Sequence, residues 1–261
     1  MNSDPWNTYT FGEWAEYKSS LFTVLSQGEQ PKRGRFLYRG QRDPEWLLAS
    51  TFDRSFPGVT KEEKRRLEDT LLDHFRYEFE ADEDTKYREV LNHDVETKAL
   101  AQHCGVPTRL LDWSESPYVG AFFAFQHAVS VYKPTVEVFA PNDGHVAIWA
   151  LDTQSEAWHK DSGVEVVTPS TLANPRMRAQ AGSFTLARTP YGSLQEYLLN
   201  FPDDSAKGAL RLFLIPARDA QVAMADLDLM GICESTLFGD HSARARTAIT
   251  KTALGVPVRG K

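Results

Sequence analysis

Cysteine is scarce in this 261-residue chain: Cys104 and Cys233 are the only two, which excludes a disulfide framework or a cysteine-built metal cluster. Long apolar runs are missing as well. The longest nearly apolar stretch, residues 118–129, contains Gln126 and His127 and falls short of the ~20 residues that a membrane helix needs. Positive charge is not in excess. With 29 Lys+Arg against 36 Asp+Glu the net charge is −7, which argues against a general nucleic-acid-binding surface but leaves room for a local patch. The opening residues, MNSDPWNTYTFGEW, are neither basic nor apolar, so a secretory signal is not expected. Also absent are GxGxxG, GxxxxGK[ST], HExxH, GxSxG and CxxC, which removes support for their phosphate, zinc and nucleophile-elbow chemistries. The seven histidines are scattered without ligand spacing. At 41% hydrophobic and 11% aromatic the chain can bury a core, so a globular cytoplasmic protein with no membrane partner is expected.

Periodicity gives the elements. Residues 6–27 read as one helix, with Trp14, Tyr17, Leu21 and Val24 at helical spacing. FLYRGQ at 36–41 reads as a strand. Thr60 and Glu63 have the form of a capping box ahead of Leu67, Leu71, Phe75 and Phe79, which predicts a helix to about residue 80. The acidic run ADEDT suits a turn. A helix over 94–103 stops at Gly105 and Pro107, and TRLLDWS then reads as a short strand. Ser116 caps a further helix with Pro117 at its first position, and that helix is apolar nearly all round and should be buried. Strands are expected at 145–151, 164–168, 183–187 and 210–216, and helices at about 218–229 and 241–253. The expected fold is a single α+β domain over residues 31–261, its helix-rich first half around a small mixed or antiparallel sheet. Residues 1–30 would form an N-terminal helical extension.

Two regions hold polar residues where apolar ones are expected. In AQHCGVPTRLLDWS, the residues Gln102, His103, Thr108, Arg109, Asp112, Trp113 and Ser114 surround Leu110 and Leu111 just before the buried helix. A polar cluster feeding a helix N-terminus suits a phosphate or carboxylate; alternatively, Arg109 and Asp112 form an internal ion pair. In Tyr38-Arg39-Gly40-Gln41, an arginine within an apolar strand is costly unless paired or facing a ligand. Its guanidinium fits a bidentate phosphate contact, and Gly40 allows close approach of backbone or ligand. The structural alternative is an Arg39–Asp112 bridge between two strands. Lys32, Arg33, Arg35, Arg39 and Arg42 also cluster, as a solvated face or a local patch.

FLYRGQ, WLLASTFDRSF and AQHCGVPTRLLDWSESPYVGAFFA together resemble the FRG domain family over roughly residues 36–128, with weaker echoes at 174–186 and 230–240. Members of that family occur in bacterial and phage-related settings, which implies a toxin or phage-defence role. A more distant resemblance is to mono-ADP-ribosyltransferases of the Arg-Ser-Glu type, which implies an ADP-ribosyltransferase-like fold and NAD as cofactor. By that resemblance Arg39, in Tyr38-Arg39-Gly40, holds NAD phosphate and ribose. Ser114 supports the nicotinamide end, Gln41, Gln102, His103, Thr108, Arg109 and Asp112 line or wall the pocket, and Tyr118 or Trp113 stacks on the ring. The third position departs from the pattern, because Gln180 stands where a glutamate is expected. A glutamine keeps a hydrogen bond but brings no negative charge to an oxocarbenium-like transition state. Glu234, in GICEST, or Glu115 would have to supply it.

The resemblances therefore imply an NAD-dependent enzyme that modifies a macromolecular acceptor, protein or RNA/DNA. A catalytically inactive nucleotide- or NAD-binding module is the alternative. An antitoxin or defence partner protein is compatible with both. A metal-dependent hydrolase using His103, Asp112 and Glu115 is a further possibility, though the three are not at ligand spacing.

Overall fold

The computed structural model describes residues 4–26, 32–80, 85–127, 144–170 and 179–258. Residues 28–31 of the expected loop, residues 81–84 of the acidic run and Arg178 of the turn before 183 lie outside them. Seven strands form one mixed sheet: β1 (Asn7–Thr10), β2 (Phe36–Gln41), β3 (Leu110–Ser114), β4 (His145–Asp152), β5 (Val164–Val167), β6 (Gly182–Ala187) and β7 (Leu210–Pro216). Their order is β1-β7-β4-β2-β3-β6-β5, parallel between β1 and β7 and antiparallel elsewhere. The fold is α+β, as expected. The sheet is not small, and three of its strands come from the helix-rich half.

Ten α-helices accompany it among the described residues: α1 (Trp14–Ser26), α2 (Thr51–Ser55), α3 (Lys61–Glu80), α4 (Thr85–Leu91), α5 (Asp94–His103), α6 (Pro117–Phe125), α7 (Leu194–Leu199), α8 (Ala220–Leu229), α9 (Glu234–Phe238) and α10 (His241–Ala253). The expected caps are present. The Glu63 N–H donates to Thr60 Oγ1 at 3.3 Å while the Thr60 N–H donates to Glu63 Oε2 at 2.9 Å. The Val119 N–H donates to Ser116 Oγ at 3.3 Å behind Pro117, and Gly105, at φ 92°, ends α5.

Both faces of the central strands are buried, which explains runs without polar alternation. Phe36, Tyr38, Val146, Ile148, Phe213 and Ile215 face α1, α6 and α8. Leu37, Trp149, Leu151 and Leu212 face the opposite way, toward α7 and Trp158. On a third side α3 and α5 pack through Leu72, Phe75 and Leu100.

The segment read as one helix over 6–27 is a strand followed by a helix. The edge strand β1 pairs with β7 in register Tyr9–Phe213, and Trp14, Tyr17 and Leu21 of α1 are fully buried in the main core. This segment is built into the sheet and core because its aromatic side chains find their cover there. Trp14 is also anchored by polar contacts: its N–H donates to Asp219 Oδ2 at 2.7 Å and its Nε1–H to Asp226 Oδ2 at 2.9 Å, while Lys18 pairs with the same Asp226. The hydrogen bonds from Lys18 and then from Trp14 hold the Asp226 carboxyl below its ordinary value of 3.8. A depressed carboxyl contributes stability that is present above its ordinary value and is lost as pH falls through the folded value. Unfolding free energy measured against pH should therefore fall less steeply on the acid side in Asp226→Asn than in the native chain.

Candidate functional site

The sheet opens between β2 and β3. These strands share one register pair, Tyr38 opposite Ser114, whereas β2 pairs with β4 along its whole length and β3 pairs likewise with β6. Beyond Tyr38 the two strands separate, and a cleft of about 720 Å³ lies at the opening. Strands β2 and β3, the end of α5, the end of α6 and the turn at Gln180 form its walls.

Arg39 lines this cleft, its side chain 22% exposed. Its Nη1 donates to the Asp112 carbonyl at 2.9 Å, taking up a backbone acceptor of β3 across the gap, and lies 3.5 Å from Asp112 Oδ2. Its Nε is buried with no hydrogen-bond partner. Burial lowers the guanidinium's proton affinity, Asp112 opposes that shift and Arg54 adds to it. An arginine this desolvated, with a donor left over, is poised for an anionic ligand. The Arg39–Asp112 bridge read from the sequence exists, at the long end of ion-pair distances.

A polar chain leads to Asp112 from the core. The fully buried Thr108 donates through Oγ1 to Gln102 Oε1 at 2.6 Å, and Gln102 Nε2 donates to Asp112 Oδ1 at 2.6 Å. Gln102, His103 and Asp112 line the cleft, with Thr108 behind them.

Arg109 does not pair with Asp112. Its Nε and Nη2 donate to Glu68 Oε2 at 2.9 and 2.8 Å, its backbone N–H donates to Glu68 Oε1 at 3.2 Å, and both side chains are buried. Arg109 stands one residue before β3, and its side chain is taken up by Glu68 of α3. It is not among the residues lining the cleft.

Other expected site residues have structural partners. Gly40 lies against α6, where an added Cβ would stand 1.9 Å from the Gly120 carbonyl oxygen. The glycine thus serves close helix–strand approach. Gln41 is buried, accepting from Trp149 Nε1–H at 2.9 Å and donating to the Leu47 carbonyl at 3.3 Å. Trp113 is buried and donates to Thr185 Oγ1 at 3.1 Å, and Tyr38 is a core residue whose hydroxyl pKa burial pushes well up; both border the cleft. Tyr118 packs against Trp14, ring centroids 6.5 Å apart, and is not among the lining residues.

Ser114 borders the cleft with its hydroxyl doubly engaged, donating to the Gln180 carbonyl at 2.7 Å and accepting from the Ser116 N–H at 3.0 Å. It pins the 180 turn, where Ala181 adopts φ 46°. Ser114→Ala should cost about 1–2 kcal/mol of stability through the acceptor and donor it strands, read as a lowered melting temperature. Gln180 reaches the cleft and donates to the Leu237 carbonyl at 3.3 Å. The structure does not bring the alternative acids there. Glu234 pairs with Arg246, and Glu115 pairs with Arg33 at 2.7 Å; neither lines the cleft.

Sequence reading missed the aromatic lining beyond Tyr38 and Trp113. Trp46, 44% exposed, carries the Arg42 guanidinium 4.9 Å from its ring centroid, and Phe123, Phe184 and Phe238 add apolar faces. Arg42 belongs to the basic cluster, which thus divides: Arg33 and Arg35 pair with Glu115 and Asp152, while Arg39 and Arg42 face the cleft. No group of three metal-ligating side chains occurs among the described residues, and none of their helices is long and apolar enough to cross a membrane.

No curated protein and no solved structure matches the chain. Residues 34–132, which hold β2, β3 and α6 and most of the cleft lining, match the FRG domain model, and the FRG resemblance is supported over that part of the chain.

Proposed function

We propose that the cleft binds NAD and that the protein is an ADP-ribosyltransferase-like enzyme acting on a macromolecule, in a toxin or defence setting of the kind the FRG resemblance implies. The desolvated Arg39 guanidinium, which lines the cleft and whose single ion-pair partner stands at 3.5 Å, carries this reading. A desolvated guanidinium at a cleft is satisfied by a diphosphate, which accepts charge-assisted hydrogen bonds from it. The volume of about 720 Å³ is in the range for a ligand of dinucleotide size. Trp46, Phe123 and Phe238 offer flat apolar faces to the two ring systems, and Arg42 offers a second cation beside the phosphates. Bound NAD supplies an activated glycosidic bond to nicotinamide. Arg39 would orient the diphosphate, and Ser114 would fix the turn that carries Gln180 beside the reacting end.

The neutral Gln180 and the pairing of Glu234 with Arg246 favour a second reading, a module that binds NAD without turning it over. Incubating the purified protein with NAD, with and without cell lysate, separates the two. Nicotinamide release with label transfer to protein or nucleic acid is the result expected of the enzyme. NAD binding without release is the result expected of the module, and neither signal would defeat both.

A further inference from the structure

We infer that Asp112 is the carboxylate that acts on the reacting ribose, in place of the acid expected at position 180. The inference rests on the NAD reading above. Among the described residues Asp112 is the one carboxylate lining the cleft. It is also the single exposed residue of β3, whose other four are buried, and its side chain is 59% exposed toward the opening.

Its position is set rather than loose. Thr108 donates to Gln102 Oε1, which fixes the amide so that Nε2 faces Asp112 Oδ1 at 2.6 Å. The other oxygen, Oδ2, has only the 3.5 Å contact with Arg39. One oxygen is therefore held and the other is available to accept from a ligand hydroxyl. A contact that long on a half-exposed side chain contributes little to stability, so Oδ2 can turn to a ligand at small cost.

The chemistry needs such a group. When the ribosyl C1′–N bond breaks, its electron pair leaves with nicotinamide and neutralises the pyridinium, and positive charge develops over C1′ and the ring oxygen. A carboxylate beside the ribose stabilises that charge and accepts a hydrogen bond from the 2′-hydroxyl. A nucleophile of the acceptor, or water in basal hydrolysis, then donates its electron pair to C1′ and releases its proton to solvent. Asp112 is unchanged at the end.

The test compares the wild type with Asp112→Asn, which keeps the shape and the acceptor for Gln102. NAD affinity is measured by calorimetry, nicotinamide release by chromatography and the melting temperature alongside; Asp112→Ala is the second variant if the first melts early. The expected result is NAD affinity at or above that of the wild type, with release lowered about 100-fold or more. Release within threefold of the wild type overturns the inference alone. A tenfold loss of NAD affinity also overturns it, since Asp112 would then be a binding group. A wild type that binds NAD without releasing nicotinamide overturns the inference and leaves the binding-module reading standing. A wild type that does not bind NAD defeats the reading of the cleft itself, and the inference with it.

Discussion

Gly40→Ala is expected to lower stability by about 3 kcal/mol or more, at the upper end of what overpacking costs. The added Cβ would lie 1.9 Å from the Gly120 carbonyl oxygen and 2.5 Å from the Ala124 N–H nitrogen. Both obstacles are backbone atoms of α6, so no side-chain rotation relieves the clash. The helix has to lift from β2, which uncovers Phe122 and Phe125 and the strand face they protect. Gly120→Ala is milder, because its Cβ would stand 3.1 Å from the Tyr38 Cβ, a contact that a small shift relieves. Thermal melts should place Gly40→Ala about 6–12 °C below the wild type, with Gly120→Ala between them. A melting temperature unchanged in Gly40→Ala would contradict the packing of α6 on β2.

Arg109→Met should cost about 3–5 kcal/mol, because it leaves Glu68 buried and uncompensated. Glu68 has its oxygens committed to Arg109, and its side chain is 1% exposed, so water cannot replace the lost partner. Removing both charges is predicted to be less harmful than removing either, since a buried ion pair repays little beyond its own desolvation. Urea denaturation of Arg109→Met, Glu68→Leu and the double variant measures this, and the double variant should recover a large part of the loss. Equal additive losses would mean that the two side chains do not interact across α3 and β3.

These two positions show how far the sequence could be read. The long periodic elements are present where patterning and caps put them: the capping box at Thr60 and Glu63 starts α3, and α10 spans the expected 241–253. Strand β1 escaped because its reason is tertiary. Four residues gain their partner from β7, some 200 positions later, and local spacing merges them with α1. Arg39 was legible as an arginine in an apolar strand, and its residual need for a partner is visible at Nε. The partner of Arg109 was not. Glu68 stands on a strongly polar helix, where a glutamate carries no mark of being inside. Gly40 was legible as a place of close approach by backbone or ligand, and the approach is made by the backbone of helix α6. The aromatic lining was hidden for a similar reason, since Trp46, Phe123 and Phe238 come from three distant segments that only the fold brings together. The opening between β2 and β3 is a property of register, which no single strand's sequence reveals.

Calorimetric titration of NAD into the wild type and Arg39→Ala, with thermal melts of both, tests the central claim most directly. Arg39 reaches only Asp112, through its carbonyl at 2.9 Å and its carboxylate at 3.5 Å, and is desolvated at a cost, so the variant should keep its fold. The account predicts measurable NAD binding by the wild type and a loss of about 30-fold or more in Arg39→Ala, the weight of a charge-assisted forked contact. Equal affinity in a variant that melts with the wild type, or no binding by the wild type, would contradict it.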